Sequence, residues 1–492
     1  MPDYDLIIRN GTVIDGSGAP GRPGAVAIAG DRIESVGSVT GTATREIDAR
    51  GLAVAPGFID VHTHDDAAVV RDPRVDFKIM QGVTTDVAGN CGAGVAPANE
   101  AFRQFYPTGF APILGESALA WTTTAEFFAA VDEARPACNV AAYVPHGVVR
   151  YNIVGLSKTP PTDAELQQMR DLVDEGMRAG AIGMSTGLVY LPGSNARTPE
   201  LIELAKVAAR YGGIYTSHIR NEADGVLAAV AEAIAIGEAA GCPVQISHHK
   251  AAGPQMKGKT KESLRFIAEA RSRGTDVDVD VYPYTASSSS LAAMYRIGRG
   301  PVFEAVPSII ASVKYEHEKY EGKYVADIAR DLGMPVGDAI EKILHDEENS
   351  PSVIMFIMDE DDVRRVVADD HAMIGSDGLP SEGKPHPRLY GTMARTIQKY
   401  VREERVITLE DAVRKMTSLP ARKHLLRDRG EVRPGAFADV VVFNPETIAD
   451  IATYAEPRQY PAGIEYVLVN GAVAVDAGRQ TGARAGRMLR RA

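Results

Sequence analysis

Eight times between residues 56 and 424, a short apolar run with polar residues at its end gives way to a longer amphipathic stretch. The runs are AVAPGFIDVHTH, GVTTDVAGNCG, NVAAYVPHG, AIGMSTG, GGIYTSHI, PVQISHH, DVDVDVYPY and HAMIGSDG. Residues 162–179 and 222–240 typify the intervening stretches, with apolar residues at helical spacing. Short apolar runs bounded by turn residues suit strands of a parallel sheet covered by helices on its faces. Eight such units are the number that closes an α/β protein into a (β/α)8 TIM barrel. An open doubly wound sheet would use the same units but gives no reason for eight. At 492 residues the chain is long for one domain, which α/β barrels often are.

Both chain ends read differently. YDLIIRNGTVID near the start, and ADVVVFNP and GIEYVLVNGAVAVDAG near the end, are β-branched runs broken by Asn-Gly and Asn-Pro. Residues 1–55 and 425–492 are therefore expected to pair into one small β-sandwich domain, leaving 56–424 as the barrel. About 85 residues separate the seventh and eighth runs, too many for a plain loop. Residues 287–345 are expected to form an inserted subdomain or lid.

The net charge of −12 argues mildly against nucleic acid or an anionic membrane surface as the main partner and favours solubility. Three widely spaced cysteines suggest no disulfide framework. The N-terminus lacks the basic and apolar regions of a secretory signal, and no run is long enough to span a membrane, so a cytoplasmic protein is expected. The oligomeric state stays open, a monomer included.

The runs end in chemically capable side chains: His62 and His64, Cys91, His146, His218, His248, Tyr282 and Asp377. In a TIM barrel the carboxyl ends of the strands form the active-site face. Imidazole, thiolate and carboxylate are zinc ligands, and the thiolate disfavours magnesium. Singly, each residue has an ordinary alternative: a core histidine, a buried cysteine, a turn aspartate. Their common placement points to a metal centre at His62, His64, Cys91, His218, His248 and Asp377. A water activated on such a centre needs a carboxylate to accept its proton, and Asp377 is the candidate.

The segments PGFIDVHTH, GVTTDVAGNCGAG, SHIRNE, ISHHKAAG, VYPYTASS, MIGSDGLP, PHPRLYGT and GEVRPGAFADVVVFNP, spread over nearly the whole chain, resemble the N-acyl-D-amino-acid deacylases (D-aminoacylases) of the amidohydrolase superfamily. Many superfamily members bridge two metals with a carboxylated lysine from strand 4. AIGMSTG has no lysine, and the D-aminoacylase branch uses a strand-2 cysteine instead, matched by Cys91. The resemblance implies one tight Zn2+ on Cys91, His218 and His248, and a second, weaker position on His62, His64 and Asp377. It implies hydrolysis of N-acyl-D-amino acids, with Lys250 and Tyr282 at carboxylate-binding positions. Arg296 and Arg388 are further anion-binding candidates, and His146 matches a strand-3 position. Neutral, hydrophobic side chains are the expected preference. The alternatives are an N-acyl-D-glutamate or N-acyl-D-aspartate deacylase, or a cyclic-amide hydrolase of the hydantoinase or dihydroorotase kind. Cys91 and the missing strand-4 lysine count against the last. A non-catalytic scaffold on the same fold would not need all six ligands.

Overall fold

A computed structural model describes residues 2–296 and 301–491. Eight parallel segments form its centre. They are β1 (Phe58–Asp60), β2 (Val83–Ala88), β3 (Asn139–Ala142), β4 (Gly183–Gly187), β5 (Ile214–His218), β6 (Val244–Ile246), β7 (Val277–Val281) and β8 (Ala372–Ile374). β1, β2 and β3 pair in parallel. A two-residue strand just beyond β3, Val144–Pro145, pairs with β4. From β4 to β8 each neighbouring pair is again parallel. The segments that follow β8 and β1 are tied by a parallel bridge between Thr63 and Gly378 and by the Asp377 amide, which donates to the His62 carbonyl at 2.7 Å.

The first expected strand is two strands. Ala53–Pro56 pairs with Val440–Phe443 in a different sheet, and β1 starts only at Phe58. Gly57 is the break: a Cβ there would lie 2.2 Å from the Thr84 side chain, so only glycine lets the chain pass β2 so closely. His62 and His64 consequently lie in the segment after β1 and not on a strand. The helix expected from residue 222 begins at Val226, because the Asn221 side chain accepts from the amides of Ala223 and Gly225 and holds a turn there. The helix Asp163–Ala179 starts as expected, at a capping box between Thr162 and Glu165.

Both chain ends meet in one nine-stranded mixed sheet. An antiparallel bridge between Arg32 and Phe437 turns its edge back on itself. The sheet encloses a core that includes Ile8, Val26, Ile33, Val440 and Leu468.

The insert has its own three-stranded antiparallel sheet, ordered Ser287–Ser290, Ser352–Met355, Ser308–Ser312, and its own core on Leu291, Ile310, Ile340 and Val353. Its central strand lies beyond the expected boundary at 345. A short apolar run after a helix carries no period that marks it as a strand. Residues 297–300 of the expected insert lie outside the described residues. Among the described residues no helix is long and apolar enough to cross a membrane.

Candidate active site

Three of the expected metal ligands sit on left-handed backbone: Cys91 at φ 55°, His248 at φ 36° and Asp377 at φ 49°. Such angles are uncommon for residues with a Cβ and concentrate at functional sites, where packing enforces them. Around Cys91 the enforcement is visible. The chain leaves β2 through Gly89 and Gly92, both also at positive φ, and a Cβ on Gly92 would come within 2.7 Å of the Gly187 amide nitrogen. The tight turn presents the thiol inward.

All six residues converge. Cys91 Sγ lies 3.2 Å from His62 Nε2, 3.4 Å from His248 Nε2 and 3.7 Å from His218 Nδ1. Asp377 Oδ1 lies 3.1 Å from His64 Nε2 and 3.5 Å from His62 Nε2. Two of the groups whose ligand atoms fit around one ion are Cys91, His218 and His248, and His62, His248 and Asp377. One sulfur and two imidazole nitrogens at these separations are a donor set that zinc accepts with a position left open for water or substrate.

Electrostatics prepare the donors. Burial would push the Cys91 thiol up, but the imidazoles of His62 and His248 override it and hold the thiol well below its usual range. Burial would likewise raise Asp377, and the Arg388 guanidinium, with His248 and His62, holds it well below the usual carboxylate range. Arg388 Nη1 stands 2.9 Å from Asp377 Oδ2.

Three residues unmarked by the sequence reading orient these groups. Asp280 accepts from His62 Nδ1 at 3.1 Å and from the His248 amide at 2.8 Å, which leaves His62 Nε2 free to ligate. Glu222 lies 3.0 Å from His248 Nδ1, 3.5 Å from His218 Nε2 and 2.6 Å from Lys250 Nζ. Lys78, fully buried, donates to Asp60 at 2.6 Å and to the Ser376 hydroxyl at 3.0 Å, and lies 3.1 Å from Asp65. It thereby fixes the chain after β1 to the chain after β8, the two segments that carry His62, His64 and Asp377.

The cluster opens into a cavity of about 300 Å³. Lys250, Tyr282 and Arg296 line it, as do His64, Cys91, His218, His248 and Asp377. The Tyr282 hydroxyl is buried without a hydrogen-bond partner. Arg296 is exposed and donates to the Asn349 side chain at 2.9 Å. Two expected substrate contacts lie beside carboxylates. His146 is buried 3.0 Å from Glu200, which also accepts from Arg150, and is not part of the cavity wall. Arg388 stands behind Asp377 and is likewise not part of the wall. Each lies against a carboxylate, but Arg388 Nε and Nη1 have no hydrogen-bond partner, and its guanidinium sits 4.5 Å over the ring of Tyr282. Asp280 had one readable signal, the alternation VDVDV that places Asp278 and Asp280 on one face of β7.

The sequence pattern of the amidohydrolase family matches residues 45–301 and 265–475. An N-acyl-D-glutamate deacylase of Alcaligenes xylosoxydans xylosoxydans is 42% identical over 99% of this chain and 96% of its own length. A solved D-aminoacylase, studied for one-metal activation and second-metal attenuation at its binuclear metal centre, superposes with a TM-score of 0.93 at 40% identity, covering 99% of this chain and 100% of its own. The N-acyl-D-glutamate deacylase of Bordetella bronchiseptica, complexed with zinc and a phosphonate mimic of the tetrahedral intermediate, gives a TM-score of 0.91 at 42% identity, with 99% of each chain covered.

Proposed function

The chain belongs to the amidohydrolase family, and from that premise we propose that it is a zinc-dependent N-acyl-D-amino-acid deacylase, splitting the amide to a carboxylic acid and a free D-amino acid. One observation carries this most: the Cys91, His218 and His248 donors and Asp377 share a cavity with Lys250 and the unpartnered Tyr282 hydroxyl. Zinc, held by Cys91, His218 and His248, supplies Lewis acidity and a water acidic enough to attack at neutral pH. The second set, His62, His64 and Asp377, is the weaker metal position.

Asp377 is the proton carrier. Arg388 keeps it ionised, so it can accept a proton from the attacking water and hand it to the leaving nitrogen. Asp280 and Glu222 hold the imidazoles in orientation. Tyr282 donates its free hydroxyl proton to the substrate carboxylate, and Lys250 adds its charge from beside Glu222. The eight parallel segments form a closed (β/α)8 barrel in this reading, supported by the Thr63–Gly378 bridge. The insert serves as its lid, and the terminal sheet as a separate small domain. Preference for neutral, hydrophobic side chains is supported by Phe105, Phe110, Ile113 and Leu191 in the cavity lining; Arg296, which shares that lining and donates to the neutral Asn349 side chain, is the group that would instead favour an acidic side chain.

A panel of N-acetyl-D- and N-acetyl-L-amino acids, assayed for free amino acid, tests this. D-leucine and D-methionine derivatives are expected to turn over and their L-isomers not. Loss of a charge-assisted hydrogen bond in Lys250→Met should lower kcat/KM for every substrate, by roughly 10–150-fold. Arg296→Ala should leave N-acetyl-D-leucine within a few-fold. A strong preference of the unmodified enzyme for N-acetyl-D-glutamate would reverse the side-chain assignment. Turnover of L-isomers alone would end the reading.

A further inference from the structure

The two sets of metal donors rest on different supports. Glu222 backs His218 at 3.5 Å and His248 at 3.0 Å, both members of the tight set. Lys78, on the short helix Asp76–Ile79, backs the second set. Its fully buried ammonium meets a chain neighbour of every member of that set. Asp60, 2.6 Å away, lies shortly before His62; Asp65, 3.1 Å away, follows His64; Ser376, 3.0 Å away, precedes Asp377. Asp86 on β2 stands 3.7 Å off. Lys78, Asp60, Asp65 and Ser376 are not part of the cavity wall, so they do not meet substrate. Asp280 contacts one member of each set, His62 and His248.

Ser376 is the junction of the second support. Its hydroxyl accepts from Lys78 Nζ and, at 3.1 Å, from the Gly378 amide, and it donates to the His62 carbonyl at 3.4 Å. Those three bonds use both lone pairs and the proton. The Ser376 amide donates to Asp60 at 2.7 Å, and the Asp377 amide donates to the same His62 carbonyl at 2.7 Å. Between Ser376 and Gly378, Asp377 is held at φ 49°. A residue with a Cβ stays in that conformation only where its surroundings impose it. The hydroxyl ties the turn on both sides of the aspartate, to the amide after it and to the strand segment that carries His62.

We propose that Ser376 is a positioning residue for Asp377, and that Lys78 and Ser376 together mount the second metal position without bearing on the tight one. The turn sets where the carboxylate points, and the proton transfer depends on that alignment. A small misplacement made away from the reacting atoms lowers the rate of the chemical step. Substrate binding is a separate matter, because Lys250 and Tyr282 follow β6 and β7 and touch neither Ser376 nor Lys78. The rate part of this inference rests on the deacylase reading; the metal part does not need it.

The test is Ser376→Ala, which removes the hydroxyl and leaves every donor and Asp280 in place. Zinc binding to metal-free protein is followed by equilibrium dialysis through both positions, and kcat and KM for N-acetyl-D-leucine are measured with only the tight position filled. Outer partners of metal ligands carry roughly 10–100-fold in metal affinity or activity. The second position should weaken by about that factor and kcat should fall by about that factor, while the tight position and KM hold. Ser376→Cys keeps a side chain of similar size but hydrogen-bonds weakly. It should move the same two quantities in the same direction, and it carries the test if the alanine variant does not fold. A folded variant that loses only melting temperature, with both affinities and kcat intact, would overturn the proposal. Equal weakening of both zinc positions would overturn it too, since the support would then be shared. So would a cysteine variant that matches the unmodified protein while the alanine variant falls, because packing and not hydrogen bonding would then hold the turn. Failure of the deacylase reading looks different: the unmodified protein releases no D-leucine, and the split between the two affinities still decides the metal part.

Discussion

Asp377→Asn is expected to abolish turnover while the protein keeps its tightly held zinc. Asparagine preserves the size of the side chain and an oxygen for His64, but it cannot accept the water proton. The loss should reach the roughly 10²–10⁴-fold typical of a general base. The Cys91, His218 and His248 donors are untouched, so zinc per chain should stay at the unmodified value. Arg388 pays for the exchange: fully buried, it loses the carboxylate 2.9 Å away. Breaking a buried pair from one side costs about 3–5 kcal/mol, so the melting temperature should fall, and the assay belongs well below it. Near-native turnover in a folded Asn variant would mean that another group carries the proton.

Cys91→Ala should produce the opposite pattern, a protein that folds but does not retain zinc. The side chain is the sulfur donor, and its thiol is held well below its usual range by His62 and His248 after their effect overrides that of burial. Removing an outer partner of a metal ligand costs roughly 10–100-fold in affinity, and removing a donor should cost more. Equilibrium dialysis against a zinc buffer measures it directly. Unchanged affinity would place the tight site on the His62, His64 and Asp377 set. The same variant leaves His62 beside Asp280 and His248 beside Glu222, so no large rearrangement of the imidazoles is expected.

What could be read from the sequence was what repeats or sits at a fixed place in a repeat. His62, His64, Cys91, His218, His248 and Asp377 each follow an apolar run, and the structure gathers all six into one cluster. What could not be read was pairing across the chain. The pairing of Arg388 with Asp377, 11 positions earlier by number (388 against 377), is made only by the turn after β8. His146 looked available until Glu200, 54 positions away, came to lie against it. Glu222 and Lys78 are single charges on a loop and a short helix, with no spacing to mark them, and each becomes a central contact only when strands far apart in sequence converge. The break at Gly57 has the same origin. Pro56-Gly57 is a turn-type pair that could have marked the break, but the steric reason to divide the run, Thr84, belongs to the next strand.

Zinc titration of metal-free protein, with release of D-leucine from an N-acyl-D-leucine followed at each step, tests the central claim most directly. The account predicts no turnover without metal, a linear rise that is complete at a single zinc per chain, and no further gain as the second position fills. Full turnover in the metal-free protein would contradict it, as would activity that appears only after a second zinc has bound.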